Sequence, residues 1–484
     1  MIPAGIAYLV ILILVCLRII YDTRNTAKAL AYLLLTIFIP VVGMAFYFSF
    51  GINYRVRKMY SKKLIQDDGM ARKLEENILR YSQSTFDKSD DDVRSNRELA
   101  VLLLRDNLSP LTSNNDVKLL VNGEQKFPEV LRALREAKDH IHMEYYIYEN
   151  DGIGREIEAI LVEKVKEGVT VRFIYDDFGC SGIRKNLVRR LREAGVQAFP
   201  FHRVVFIALA NRLNYRNHRK IIVVDARVAF VGGINVSDRY INGTSEAHKK
   251  KLFWRDTHIR VEGPGVLYLQ YLFLCDWNFS ARDSLAPDST LFPPPASYPA
   301  LGDKVVQMAA SGPDSDMPTI LFALLQAINL ATEEILITTP YFIPGESLLD
   351  ALAVAAMGGV SVKLLVPRVS DSLLVNAAAR SYYDDLLHAG VEVYMYNRGF
   401  IHAKTLVTDS KVAVVGTANM DYRSFDLNFE VSAIIYDSDF ACELRDVFYQ
   451  DLEYADRVDP EAWYARPLYK KMLEKTARLV SPLL

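Results

Sequence analysis

Two short stretches carry residues whose types and spacing could do chemistry together. In FIHAKTLVTDSKVAVVGTANMDYRSF, residues 400–425, His402, Lys404 and Asp409 are followed by Asn419. In NHRKIIVVDARVAFVGGINVSDRY, residues 217–240, His218, Lys220 and Asp225 are followed by Asn235. A constant offset of 184 residues relates the four members of one set to those of the other. Packing has no reason to keep four polar types in step twice, so both sets are candidate site residues rather than core histidines. A strand with a period of two puts His402 and Lys404 on one face and Ile401, Ala403, Thr405 and Val407 on the other. The returning strand then carries the asparagine to the same end, beside glycines that allow close backbone approach. The nominated catalytic set is His218, Lys220, Asp225, His402, Lys404 and Asp409. Parity takes the two aspartates off the histidine face, where they are expected to support the loop.

A phosphodiester explains these types. Lysine and asparagine donors suit the non-bridging oxygens and stabilise charge on a five-coordinate phosphorus. One neutral imidazole can attack phosphorus while a second, protonated, gives its proton to the leaving alcohol. Two halves supply two histidines, and a pseudo-two-fold arrangement would set them on opposite sides of one phosphate.

The elements that must position these residues also repeat. EAKDHIHMEYYIYENDGIGREIEAILVEKVKEGVTVRFIYDD matches LATEEILITTPYFIPGESLLDALAVAAMGGVSVKLLVPR: strand, helix, Gly-Val turn, strand. A third strand follows in each, GVQAFPF and GVEVYMY, after NLVRRLREA and SYYDDLLHA. Strands alternating with helices imply α/β architecture with βαβ units and a parallel or mixed sheet. The proline-rich stretch 281–303 reads as a linker between the halves. Boundaries follow at 1–51 for a membrane anchor, 52–110 for a polar connector, 111–280 for the first half and 304–484 for the second.

Ile2 to Leu17 is a run of 16 residues without a charge and Ala29 to Phe50 a run of 22. Since a span needs roughly 20 apolar residues, the second is the better candidate and the two together read as a retained transmembrane hairpin. Arg18, Arg24 and Lys28 lie between the runs, and Arg55, Arg57, Lys58, Lys62 and Lys63 follow the second, which places the rest on the cytoplasmic side. With 57 basic and 59 acidic residues there is no global basic footprint for nucleic acid. The four cysteines, Cys16, Cys180, Cys275 and Cys442, form no disulfide framework or zinc motif, and neither metal nor cofactor is expected. VVFIALANRLNYRN, residues 204–217, suits either core or a lip dipping into a bilayer. The basic run His248 to Lys251 reads as a solvated loop and YLQYLFLCDWNFS, residues 268–280, as a core helix.

The paired His-x-Lys-x4-Asp motifs resemble those of the phospholipase D superfamily. The anchor followed by two halves is similar to bacterial cardiolipin synthases along essentially the whole chain, and GTANMDYRSFDLNFE, residues 416–430, is especially similar to their pattern, departing at Thr417, where serine is commoner. The resemblance implies two tandem phospholipase D-like βαβαβ domains with pseudo-two-fold symmetry behind a transmembrane helical hairpin. It implies metal-independent phosphatidyl transfer between two phosphatidylglycerol molecules, giving cardiolipin and glycerol through a phosphohistidine on His218, with His402 as acid and base. Asp256, in FWRDTHIRV, and Glu430, in LNFEVSAII, match the family's acidic residues that hydrogen-bond the imidazoles; with Asn235 and Asn419 they complete the substrate-binding set. The alternatives are a hydrolytic phospholipase D and an inactive scaffold that binds anionic lipid. A multi-pass protein of the bacterial inner membrane follows, with the catalytic part cytoplasmic, lipid rather than nucleic acid as partner, and self-association compatible.

Overall fold

The strand and helix alternation read from the two repeats is present in the computed structural model, which describes residues 2–23, 26–48, 68–201, 215–243, 252–281, 285, 287–294, 298–299, 301–479 and 481. The first half holds β1 (Thr112–Val121), β2 (His140–Tyr145), β3 (Thr170–Tyr175), β4 (Gln197–Pro200), β5 (Lys220–Val224), β6 (Val228–Gly232), β7 (Phe253–Arg255) and β8 (Thr257–Glu262). The second holds β9 (Lys304–Ser311), β10 (Glu334–Thr338), β11 (Phe342–Ile343), β12 (Ser361–Pro367), β13 (Glu392–Tyr396), β14 (Gly399–Ile401), β15 (Thr405–Thr408), β16 (Val412–Gly416), β17 (Met420–Asp421), β18 (Glu430–Tyr436) and β19 (Ala455–Arg457).

Fifteen of these strands form one mixed sheet in the order β19-β13-β12-β10-β15-β16-β18-β9-β1-β8-β6-β5-β2-β3-β4. The two halves meet at an antiparallel contact between β1 and β9, irregular between Thr112 and Asn115. Outward from that seam, the first half runs β8, β6, β5, then the parallel trio β2, β3, β4. The second runs β18, β16, β15, then the parallel trio β10, β12, β13. Crossover helices Gly152–Lys166 and Glu346–Met357 join the first two members of each trio. One core layer continues across the seam, joining Ile221, Val231 and Ile259 to Leu336, Val415 and Val431. The helix Val266–Ala281, the expected core helix, buries Gln270, Asp276 and Trp277.

The connector is not idle. Its helix Arg97–Asn107 buries Leu99 and Leu103 in the second half's core, and Asp92 accepts hydrogen bonds from the backbone and hydroxyl of Ser438. Chain that precedes the first half is thus clamped to the second.

At the N-terminus the structure reverses one expectation. Helix α1 (Ile2–Asp22) has 21 residues, and its stretch Gly5–Asp22 is long and apolar enough to cross a membrane. The run 29–50 is not one helix. Helix α2 (Thr26–Phe38) stops at Ile39, and α3 (Pro40–Phe46) starts on Pro40. Proline has no N–H to give and excludes helical geometry from the residue before it, so Ile39 sits at φ −133, ψ 67. The 13 residues of α2 reach about 20 Å, short of a hydrocarbon core of roughly 30 Å. The chain then turns back. Tyr47 Oη donates to Asp22 Oδ2 at 3.1 Å, at the end of α1, and its ring meets Tyr32 edge-on. Gly43 permits the reversal, because a Cβ there would stand 2.5 Å from the Leu35 carbonyl. Arg24, Arg55, Arg57, Lys58, Lys62, Lys63, the stretch 202–214 and the run His248 to Lys251 lie outside the described residues, as does the side chain of Lys28.

Candidate active site

The two histidine segments leave the sheet before they reach their histidines. β15 begins one residue after Lys404, and β5 begins on Lys220, so His402 and His218 lie in extended chain ahead of the strands rather than within them. The reason is that their main chain is paired with the other half. His218 N donates to Phe429 O at 3.0 Å and Phe429 N to Arg216 O at 2.9 Å. His402 N donates to Arg255 O at 2.7 Å, and the preceding β14 pairs in parallel with β7. Each histidine segment therefore runs beside the segment that carries the other half's carboxylate.

The carboxylates are crossed in consequence. His218 Nδ1 is 3.0 Å from Glu430 Oε2, and His402 Nδ1 is 2.7 Å from Asp256 Oδ2. Sequence proximity does not reveal this exchange. Asp256 and Glu430 have no exposed surface, while His218 and His402 each keep 9% of theirs, so only the far edge of each ring reaches outward. Both carboxylates touch an imidazole, which corrects their placement among substrate-binding groups: an ionised carboxylate would repel a phosphate. Their cups differ. Glu430 accepts from the Thr417 hydroxyl and from Asn428 Nδ2. The shorter Asp256 accepts from Thr257 N at 2.7 Å and rests against Gly233, where an added Cβ would come within 2.1 Å of its Oδ1.

Charge follows from burial and neighbours. Burial alone would push Asp256 and Glu430 up, but Lys404 and His402 for the first, and His218, Lys220 and Thr417 for the second, hold both below the usual carboxylate range. Burial lowers the His218 imidazole despite Glu430, and burial with Lys404 lowers His402 to about 4 despite Asp256. An ionised carboxylate beside a neutral imidazole must accept a hydrogen bond from Nδ1–H, which leaves Nε2 with its lone pair facing the opening. Burial also lowers Lys220 to about 7 and Lys404 to about 8. Each lysine donates to the carbonyl of its own histidine and keeps two N–H groups for another acceptor. Lys404 acts on His218, and Lys220 on His402, so the two constellations share one field.

Asn235 and Asn419 are buried nearby. Asn235 Nδ2 donates to Tyr240 Oη at 2.8 Å and its Oδ1 accepts from Ile147 N; Asn419 Nδ2 faces Asp421 Oδ2 at 3.3 Å. Asp225 and Asp409 are not brought to this centre. Five residues of strand, about 16 Å, separate each from its lysine. Asp225 caps the backbone N–H groups of Lys138, Asp139 and His140, and Asp409 those of Thr332, Glu333 and Glu334, each from a left-handed turn. Their membership of the catalytic set is thereby corrected to the loop-supporting role.

Several site residues have no signal in the motif. Tyr146 meets the His218 ring edge-on at 4.8 Å, and Trp254 lies 5.6 Å from that of His402. Arg216, two residues before His218, is buried, with Nη1 lacking a hydrogen-bond partner among the described residues. Behind His218 stands a polar set in which Arg219 pairs with Asp276, and Asn217 donates to Glu144, whose carboxyl is driven well above its ordinary range by burial and by Asp276. Ile401, Ala403 and Thr338 occupy the corresponding places behind His402.

Comparison with known proteins places the chain in a family. The family model described as "Cardiolipin synthase, PLD-like domain" matches residues 130–249 and 324–452, and "Phospholipase_D-nuclease N-terminal" matches 8–51. The chain is 38% identical to a cardiolipin synthase of Alkalihalophilus pseudofirmus over 99% of this chain and 93% of that one. It is 39% identical to the major cardiolipin synthase ClsA of Bacillus subtilis over 99% of this chain and 98% of that one. Among solved structures, phosphatidylserine synthase of Haemophilus influenzae superimposes with a TM-score of 0.59 at 14% identity, covering 82% of this chain and 100% of that one, a likeness of fold.

Two outcomes are expected. Asp409→Ala should lower stability by about 1–3 kcal/mol, read from thermal unfolding, because three backbone amides lose their hydrogen bonds to a charged partner, while kcat stays near that of the unaltered protein. A large loss of kcat at unchanged stability would return Asp409 to the chemistry. The kcat/KM profile for a phosphodiester should fall on its acid side below the ordinary imidazole range, as a depressed imidazole protonates. On the alkaline side it should fall near the lowered lysine values of about 7 and about 8, as Lys220 and Lys404 lose their protons. Lys220→Arg together with Lys404→Arg should carry the alkaline limb upward; a limb unmoved by that pair of changes contradicts the assignment.

Proposed function

The chain belongs to the bacterial cardiolipin synthases of the phospholipase D superfamily, phosphatidyltransferases by chemistry, and on that premise we propose how its own residues divide the reaction. His218 Nε2 attacks the phosphorus of one phosphatidylglycerol, forming an N–P bond as the bond to the glycerol headgroup oxygen breaks. His402, protonated at Nε2, gives its proton to that oxygen and glycerol leaves. The terminal hydroxyl of a second phosphatidylglycerol then attacks phosphorus, His402 takes its proton, the N–P bond breaks, and cardiolipin is released. Lys220 and Lys404 bracket the non-bridging oxygens, with Asn235 and Asn419 at the rim.

The observation that carries this reading is the pair of crossed imidazole–carboxylate hydrogen bonds within one buried centre. His402 is depressed partly by Lys404 and Lys220. An arriving phosphate neutralises those cations, removes their repulsion and lets Asp256 support an imidazolium. The polar set behind His218 supports its role as nucleophile, since the residue that carries the covalent adduct gains most from a main chain held on its far side. The strand order, read outward from the seam, supports a pseudo-two-fold relation between two tandem halves.

An N-terminal apolar helix fits membrane association. We place the catalytic halves on the cytoplasmic face, following the basic residues after the second apolar run. We assign the crossing to α1, because Tyr47 returns to Asp22 and a second crossing would require a helix running through Pro40.

An activated phosphatidyl ester, whose leaving group needs no proton, separates the two histidines. Supplied to His402→Ala, it should leave a phosphatidyl adduct on the peptide holding His218, found by mass spectrometry, and His218→Ala should form none. An adduct on His402 in His218→Ala, with none on His218, would reverse the assignment.

A further inference from the structure

The helix Leu468–Leu479, LYKKMLEKTARL, is docked by the opposite face to the one an amphipathic helix normally buries. At 3.6 residues per turn, Leu468, Tyr469, Met472, Leu473 and Leu479 fall on one side, with Glu474 and Ala477 opposite. Glu474 and Ala477 are the buried residues, whereas all five large apolar side chains are more than half exposed. The orientation is held by polar bonds. Glu474 accepts from Arg380 at 3.0 Å and from Arg466 at 2.9 Å, and Arg478 donates to Asp385 at 2.7 Å. An apolar stripe is therefore presented outward by a helix that is pinned from behind.

The surroundings extend the stripe toward the reaction centre. The helix packs against Leu373–Arg380, which starts just beyond the end of β12. From that turn Val369 and Leu373 project, Leu373 with 89% of its surface exposed. The same turn holds Asp371, which accepts from Tyr341 Oη and acts on Lys404. At the corresponding place after β3, Phe178 is exposed as well. The anchor arrives at this end too, since Phe48 packs against the apolar cluster that includes Tyr215 and Phe429, on the approach to His218.

Charge selects the occupant. Lys470, Lys471 and Lys475 flank the stripe, and the helix's one acidic residue, Glu474, is turned inward. A helix face of large apolar side chains with cations and no outward carboxylate of its own suits the interface of an anionic bilayer, where acyl chains lie beneath negative headgroups, and the exposed Asp371 of the adjoining turn is engaged by Tyr341 Oη. We propose that the helix Leu468–Leu479, with Val369 and Leu373, seats the second half of the protein on anionic lipid, so that the opening beside Asp371 faces the headgroups. This seat is independent of the chemistry at the histidines: a catalytically dead protein would keep it.

The test uses the full chain in vesicles of phosphatidylglycerol with phosphatidylethanolamine. An environment-sensitive fluorophore is attached at Met472→Cys, with the exposed Cys442 replaced by serine. A second label at Asp303→Cys, beyond the end of β9 opposite to Ser311 and Glu430, reports the far side of the sheet. Spin-labelled lipid should quench the probe at 472 and leave that at 303 unquenched. Lys470, Lys471 and Lys475 changed together to glutamine should weaken the quenching several-fold. In Met472→Gln with Leu473→Gln, the surface fraction of phosphatidylglycerol at half-maximal rate should rise several-fold with kcat held. Equal quenching at both positions, or none at 472, overturns the proposal. So does protection at 472 that grows with protein concentration in lipid-free detergent, which would make the stripe a contact between copies of the chain.

Discussion

Each imidazole of this protein is held by a carboxylate from the other half of the chain, and much of the structure follows from that exchange. Ionised carboxylates without exposed surface are costly unless paired, and removing one member of such a pair costs roughly 3–5 kcal/mol. Neither half can therefore keep its acidic residue buried and charged without the histidine and lysine of its partner. The single sheet, the continuous core across the β1 and β9 seam and the clamp of the connector onto the second half all serve to keep that mutual arrangement in register. The parallel pairing of β7 with β14, and the main-chain bonds between His218 and Phe429, are where the exchange is stitched.

The halves are equivalent in outline and different in detail, and the differences lie next to the reacting groups. A short carboxylate over a bare glycine serves one histidine; a longer one, bonded by a threonine hydroxyl, serves the other. One histidine has ionic and amide groups behind it, while the other has aliphatic side chains and a threonine in the same places. Two positions alike in outline thus have unequal surroundings, a difference that the proposed division between a nucleophile and a proton carrier would use.

Much of this was legible in the amino-acid sequence. The common offset between His218 and His402, Lys220 and Lys404, and Asn235 and Asn419 nominated the candidate centre, and the strand and helix alternation placed the parallel trios. Parity along the strand correctly took Asp225 and Asp409 away from the imidazoles. The crossing of Asp256 and Glu430 was not legible, because pairing between distant segments leaves no local periodicity. Nor was the strand boundary at Lys404, since the backbone there bonds to the other half instead of continuing in the sheet. Counting uncharged residues from Ala29 to Phe50 passed over Pro40, whose missing donor divides that run. An amphipathic pattern over Leu468–Leu479 was present in the chain, but which face turns inward depends on Arg380, Arg466 and Asp385, which no local window contains.

The claim on which the account rests is the exchange of acidic partners, and histidine proton resonances read it directly. With nitrogen-labelled histidine in the full chain, each carboxylate-bound Nδ1–H should give its own downfield signal. His218→Ala and His402→Ala assign the two signals. Glu430→Gln should then shift or remove the signal of His218 and leave that of His402, and Asp256→Asn should do the reverse. Loss of the His402 signal in Glu430→Gln, with that of His218 intact, would contradict the crossed site.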